Sequence, residues 1–355
     1  MKVCIFMGSY DFVEDKLFQK LLESNNIAVV ACREHIHNFP SLIKGYVKMY
    51  FRHIKLDYDI MFIHWRGIMA FPLANLICRK PIIYWSNLSI YHTLIEDRKK
   101  AAPNSLYAKF IHFAEKYVLN HSKFIITESK AQTDYFINEY NLNKQKFRNI
   151  ITSADESLFY PMPFREPQKF FNILFFGSFI PAHGTDIIIE TAKIVSNEKD
   201  IVFNFWGDGP TKKQNEELVK KYQLPNVKFF GYFTYDKLVP AIFESDVCLG
   251  IFSTSQKAAN SIPNKVLQIL ACEKPLITMD SPAVREIFLA SNKNCILVPS
   301  GDPKSLANAI LKLKKDYINR KNIAISGHQL YTEKLSNKVV GKKLMDLFNE
   351  VQSLN

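Results

Sequence analysis

The sequence predicts an α/β protein built from two doubly wound domains. Three observations predict it. The chain has 355 residues, too long for one ordinary compact domain and comfortable for two. Short apolar runs alternate with longer amphipathic stretches from end to end, the order of strand, helix and strand that builds a parallel sheet covered by helices. The pattern is interrupted near the middle by Tyr160-Pro-Met-Pro-Phe-Arg-Glu-Pro167, whose prolines disfavour both helix and strand and suit a linker.

In the first half, strands are expected at 3–7, 27–31, 60–64, 81–84, 124–127 and 149–152, with helices near 15–23, 41–54, 106–120 and 131–139. After the prolines the alternation restarts. Strands fit 173–176, 201–206, 227–230, 247–251, 275–278 and 295–298, and helices fit 185–196, 211–222, 235–243, 264–270 and 303–314. A last stretch, 335–351, carries Val339, Val340, Leu344, Leu347, Phe348 and Val351 at helical spacing, so it should pack along a domain. The expected division is 1–164, 170–332 and a C-terminal helix in 333–355. Two such domains should face each other across a cleft, because ligands of open α/β sheets bind at the carboxyl ends of the strands.

Composition narrows the class. A hydrophobic fraction of 47% and a charged fraction of 23% are those of a globular chain. The apolar run from Val3 to Met7 is too short for a secretory signal, and the run from Gly67 to Cys78, broken by Pro72, falls short of the roughly 20 residues that span a bilayer. A cytoplasmic location is expected, with a peripheral place on the inner face of the membrane as the variant of it. The six cysteines show no Cys-x-x-Cys spacing and read as core thiols. A net charge of +12 asks for an anionic partner.

Three loops of the second half follow strands and carry residues suited to a diphosphate. In Phe176-Gly-Ser-Phe-Ile-Pro-Ala-His-Gly-Thr185 a strand ends in glycine and a helix begins at Gly184-Thr185. Glycine admits a close ligand, and a helix N-terminus offers unpaired N–H groups to an anion; taken alone, the same loop suits an ordinary turn. Trp206-Gly-Asp-Gly-Pro210 is a second turn of this kind. In the third, Pro263 and Asn264 open a helix, which places Lys265 in its first turn. A cation there opposes the helix dipole unless an anion offsets it; Lys265 either meets phosphate or points into solvent.

In this order the pieces resemble glycosyltransferase family 4, the retaining enzymes of the GT-B fold that use nucleotide-activated sugars. The resemblance runs through Gly177 to Gly184, Gly207 to Pro210, Val227 to Gly231, Ser245 to Val247, Pro263 to Pro275, Ala283 to Glu286 and Val298 to Asp302. It is looser in the first half, through the Gly8 loop, the stretch from Asn87 to Arg98, and Ala154-Asp155. The chain departs from the family where a Glu-x7-Glu pair is usual, since Asn260 and Gln268 stand there. It departs again where an arginine and a lysine usually meet the diphosphate, since Ser178 and His183 stand there.

The resemblance implies donor contacts from Gly177, Ser178, His183, Gly207, Asn264, Lys265, Gln268, Arg285 and Glu286. Stabilising the departing diphosphate is the main requirement, met by the Gly177 and Ser178 amides, by Lys265, and by Arg285 or Lys257 if they turn inward. A protonated His183 would replace one missing charge. Asn264 and Gln268 suit sugar or ribose hydroxyls and Glu286 the ribose. On the acceptor side stand Gly8, Arg66 and Asn87, with His64 and His92 as candidate bases; a packed histidine is the alternative for each. No cofactor or metal is expected, since on this reading amides and cations rather than a metal ion stabilise the diphosphate.

The expected partners are a UDP- or GDP-sugar and a glycan or lipid-linked acceptor in surface polysaccharide synthesis. Within 41–55, Lys44, Lys48, Arg52 and Lys55 share a helical face with apolar and aromatic neighbours, which suits an anionic membrane or, equally, a solvated basic side. Nucleic acid is not expected, because no binding motif accompanies the charge. The rival readings are a non-catalytic GT-B subunit that binds nucleotide or glycan, and a sugar-nucleotide epimerase, against which the series from Pro263 to Glu286 speaks.

Overall fold

A computed structural model describes residues 1–7, 13–34, 39–288 and 293–354. The chain forms two compact units, Met1–Ile151 with Asn337–Asn355, and Thr152–Ser336.

In the first unit the order is β1 (Lys2–Met7), α1 (Val13–Ser24), β2 (Ala28–Arg33), α2 (Phe39–His53), β3 (Ile60–His64), α3 (Phe71–Ile77), β4 (Ile82–Ser86), α4 (Leu106–His121), β5 (Phe124–Thr127), α5 (Lys130–Tyr140) and β6 (Phe147–Asn149). The six strands lie parallel in the order β2-β1-β3-β4-β5-β6. β3 and β4 read Ile-Met-Phe-Ile-His and Ile-Ile-Tyr-Trp-Ser and are buried at every position, as strands covered on both faces must be.

The second unit runs β7 (Phe171–Phe176), α6 (Thr185–Ile194), β8 (Ile201–Trp206), α7 (Lys212–Tyr222), β9 (Val227–Gly231), α8 (Tyr235–Glu244), β10 (Val247–Leu249), α9 (Gln256–Asn260), α10 (Asn264–Ala271), β11 (Leu276–Asp280), α11 (Pro282–Ile287), β12 (Ile296–Pro299), α12 (Pro303–Lys315) and α13 (Tyr317–Lys334). Its six parallel strands take the order β12-β11-β10-β7-β8-β9. Both sheets are doubly wound, as expected, but with different strand orders. The direction of winding reverses between β1 and β3 in the first sheet and between β7 and β10 in the second, and the crevice at the carboxyl side of such a reversal is where open sheets bind ligands.

The chain then returns to the first unit with α14 (Asn337–Ser353). Its Val340, Leu344, Leu347, Phe348 and Val351 join Phe18, Leu22, Phe62 and Trp85 in one core cluster. Tyr160-to-Pro167, expected as a linker, lies within the second unit: Phe164 meets the Tyr317 ring, and the Tyr317 hydroxyl donates to Glu166 at 3.0 Å.

Four helices escaped the sequence pattern, α3, α9, α11 and α13, and α3 and α13 did so for different reasons. Pro72, read as breaking an apolar run, sits in the first turn of α3, where its missing N–H costs nothing. α13 spreads its apolar residues around the helix and is held instead by tertiary contacts. Its buried Arg320 lies 3.4 Å from the equally buried Asp246 carboxylate, which also accepts the Asn172 N–H at 2.8 Å. All six cysteines are free thiols, and only Cys78 is less than fully buried.

Candidate functional site

At the reversal point of the second sheet, β7 ends at Phe176 and the backbone turns through Gly177 at a φ of +129°. A Cβ there would stand 3.1 Å from the Lys265 ammonium nitrogen. Gly207, which follows β8, packs still closer, since its Cβ would lie 1.9 Å from the Gly177 carbonyl oxygen. That contact requires a glycine at 207 whether or not a ligand approaches. The Gly177 N–H donates to the Trp206 carbonyl at 2.9 Å. Of the two amides expected to face a diphosphate, Gly177 is therefore already engaged, and Ser178 is left for it.

Lys265 occupies the first turn of α10 and is 5% exposed. Its Nζ lies 3.4 Å from His183 Nδ1 and 3.9 Å from the centre of the Phe175 ring. Among the described residues it has no carboxylate partner. Burial pulls its pKa well below the usual lysine range. A cation in a helix's first turn also opposes the dipole, so the charged form of Lys265 is disfavoured on both counts.

His183 closes the same corner, with its Nδ1 hydrogen-bonded to the Ser178 carbonyl. Burial, then the charge of Lys265, with Lys257 adding to it, hold its pKa well below the ordinary value. The expectation of a protonated His183 is corrected: in the free protein it is neutral, because a second cation beside Lys265 is disfavoured. Lys257 and Asn260 of α9 are both buried, and the Gln256 amide donates to the Asn260 side-chain oxygen at 3.1 Å. Asn264 and Gln268 of α10 are half-buried.

Arg285 does not turn inward. It is exposed and forms two 2.5 Å bonds to the Asp280 carboxylate. Glu286 is also exposed.

In the first unit, polar residues stand just at or past the carboxyl ends of three neighbouring strands: His64 at β3, Asn87 after β4 and Glu128 after β5. All three are buried. Asn87 neighbours His64, and its amide donates to Glu128 at 2.8 Å. Burial and the neighbouring Arg66 lower the His64 pKa to about 3, which leaves it a weak proton acceptor. Arg66 lies over the Trp65 ring at 4.8 Å. His92 opens a π-helical turn, His92–Asp97, stacks at 4.0 Å on Tyr135 and approaches Glu96 at 3.4 Å. Gly8 lies outside the described residues.

Sequence reasoning missed Glu115 and Glu128. Glu115 is 1% exposed, accepts hydrogen bonds from Ser89, the Ile90 N–H and Tyr140, and has its pKa raised by burial. Its signal is a carboxylate in the apolar phase of α4, between Ile111 and Val118. The signal for Glu128 is its place after a strand, which it shares with Asn87. Among the described residues no group of three His, Cys, Asp or Glu side chains is placed to hold a metal ion.

The buried, unpaired Lys265 lies in a stretch that other proteins share. Residues 171–316 match the family model described as glycosyl transferases group 1. The chain is 27% identical over 256 residues to an uncharacterised glycosyltransferase of Methanocaldococcus jannaschii, covering 71% of this chain and 66% of that one. It is 23% identical over 242 residues to the poly(ribitol-phosphate) alpha-N-acetylglucosaminyltransferase of Staphylococcus aureus, covering 66% and 46%. The chain thus matches from about half to two-thirds of the length of these relatives. The structure of Anabaena HepE in complex with UDP and glucose superposes with a TM-score of 0.74 at 14% identity, over 98% of this chain and 99% of that one. The fold is GT-B, with two parallel six-stranded sheets each flanked by helices.

Proposed function

We propose that the chain is a retaining, metal-independent glycosyltransferase that moves a sugar from a UDP- or GDP-sugar to a glycan or lipid-linked acceptor, in surface polysaccharide synthesis at the cytoplasmic face of a membrane. The observation that carries this reading is Lys265, buried and without a carboxylate at the reversal point of the second sheet. A nucleoside diphosphate supplies the missing anion. In the reaction an acceptor hydroxyl oxygen would bond to the sugar's anomeric carbon as the bond from the sugar to the diphosphate breaks, its proton passing to the departing phosphate oxygen, and Lys265, Lys257 and the Ser178 N–H would stabilise the charge that develops there. Asn264 and Gln268 suit hydroxyls of the sugar or ribose, and Glu286 the ribose.

The relatives support the substrate class: one is named for transferring N-acetylglucosamine to poly(ribitol phosphate), and one solved structure holds UDP and glucose. On the acceptor side we assign Arg66, Asn87 and His92 to positioning, and His64 to the same beside Asn87. α2 would bring the protein to an anionic membrane. Lys44 is exposed on it and Lys55 just past its end, whereas Lys48 and Arg52 pair with Glu34.

Calorimetric titration with UDP and GDP, followed by a donor-hydrolysis assay, tests the reading, with Lys265→Ala as the control. Donor binding unchanged in Lys265→Ala would remove Lys265 from the site. The replacement of the expected carboxylate pair by Asn260 and Gln268 favours a second reading, a non-catalytic subunit that binds nucleotide. Binding without turnover across a broad donor and acceptor panel would select it.

A further inference from the structure

α4 has two apolar faces. Ala108, Ile111, Val118 and Leu119 enter the core, as an amphipathic helix requires. On the other side Leu106, Phe110 and Phe113 recur one helical turn apart and are 85%, 53% and 65% exposed. Leu76, at 83% exposure, extends this surface onto α3. On α2, Ile43, Val47 and Phe51 form a second exposed stripe at the same spacing, continued by Ile54 just past the helix end.

The three helices are tied side by side. The Asn75 amide of α3 donates to the Tyr117 hydroxyl of α4 at 2.9 Å, and the Tyr46 hydroxyl of α2 donates to the Met69 carbonyl just before α3. A patch of this extent is larger than the scattered apolar residues of an ordinary surface and marks an interaction site.

The charge around it selects the partner. In the sequences of α2, α3 and α4 the one carboxylate is Glu115, which is 1% exposed and turned into the core. Lys44, Lys109 and Lys116 are exposed on these helices, and Lys99 and Lys100 are exposed ahead of α4. Exposed aromatics and aliphatics framed by lysines, with the carboxylates that meet these helices, Glu34 and Glu139, already held by Lys48, Arg52 and His112, match the interface of an anionic bilayer, where rings sit at headgroup depth and ammonium groups meet lipid phosphates. Among the described residues no helix is long and apolar enough to cross a membrane, so the stripes fit helices lying in the interface plane.

We infer that α2, α3 and α4 together form one docking face for an anionic lipid bilayer, with α4 as an insertion helix equal in weight to α2. This rests on the membrane contact proposed above for α2 and extends it to a helix that carries no part of that reading.

The test is sedimentation of the full chain with vesicles of phosphatidylcholine alone and of an equal mixture with phosphatidylglycerol. The wild type should sediment with the mixed vesicles, and more weakly at high salt. Phe110→Ser with Phe113→Ser should lower the partition into mixed vesicles roughly ten-fold or more, with the thermal melt unchanged because both side chains are exposed. Ile43→Ser with Phe51→Ser should do the same. If the α4 variant sediments like the wild type while the α2 variant does not, the α2 reading stands alone and this inference fails. If the wild type binds neither vesicle, both fail. If light scattering shows a wild-type dimer that Phe110→Ser with Phe113→Ser dissolves, and no vesicle is bound, a second copy of the chain covers the face and the lipid proposal is overturned.

Discussion

The two ends of the second sheet treat a buried cation in opposite ways. At the amino end, Arg320 of α13 is 2% exposed and stands against the buried Asp246, while Lys274, 3% exposed, donates to the carbonyls of Phe243 and Ser245. At the carboxyl end, Lys265 is nearly as buried but has a neutral histidine and an aromatic ring as neighbours. A paired buried charge holds structure together; an unpaired one at a helix N-terminus is tolerated where a ligand completes it. On the function proposed above, the difference would separate residues kept for folding from residues kept for binding, and it makes predictions at both ends.

The largest effect is expected at the amino end. Asp246→Ala strands a buried guanidinium and should lower unfolding stability by about 3–5 kcal/mol in urea titrations. A variant as stable as the wild type would erase the contrast. At the carboxyl end, Lys265→Met should leave stability undiminished, since it removes an unpaired charge. It should weaken nucleoside diphosphate binding by about 2–4 kcal/mol, or roughly 30- to 1,000-fold, read by calorimetry.

Gly207→Ala probes the loop packing that shapes this end. Its Cβ would collide with the Gly177 carbonyl, which should cost about 2 kcal/mol as a lower melting temperature. A full-stability variant would mean that the two loops part without cost.

The smallest effect is a proton count. Lys265 and His183 both have depressed pKa values in the free protein, and a bound diphosphate raises both. Between the free and bound values, binding takes up protons and affinity falls as pH rises. The free protein should itself gain stability with rising pH over the windows that end near 6.5 for His183 and 10.5 for Lys265, because there the unfolded chain holds more protons. Calorimetry in buffers of different ionisation heat measures the uptake, and Lys265→Met should reduce it.

Much of this was legible before folding was considered. Most of the strands in both halves could be placed from runs such as Ile-Met-Phe-Ile-His, because a strand covered on both faces must be apolar throughout. Lys265 stood out because Pro263 and Asn264 fix where α10 begins. α13 did not, because its apolar residues follow no single face and its stability comes from Asp246, far away in sequence. Glu128 and Glu115 were overlooked because a lone glutamate in a sequence looks solvated until its neighbours are known.

By itself, then, the sequence determined the alternation of strands and helices, the glycine loops and the charge excess, all of them properties of local order and composition. Only the tertiary structure decided the strand orders, the return of α14 to the first unit, the neutral state of His183, the outward pairing of Arg285 with Asp280 and the exposed face of α4. Each of these depends on which surfaces remain in water after the chain has packed, and no spacing along the chain encodes that directly.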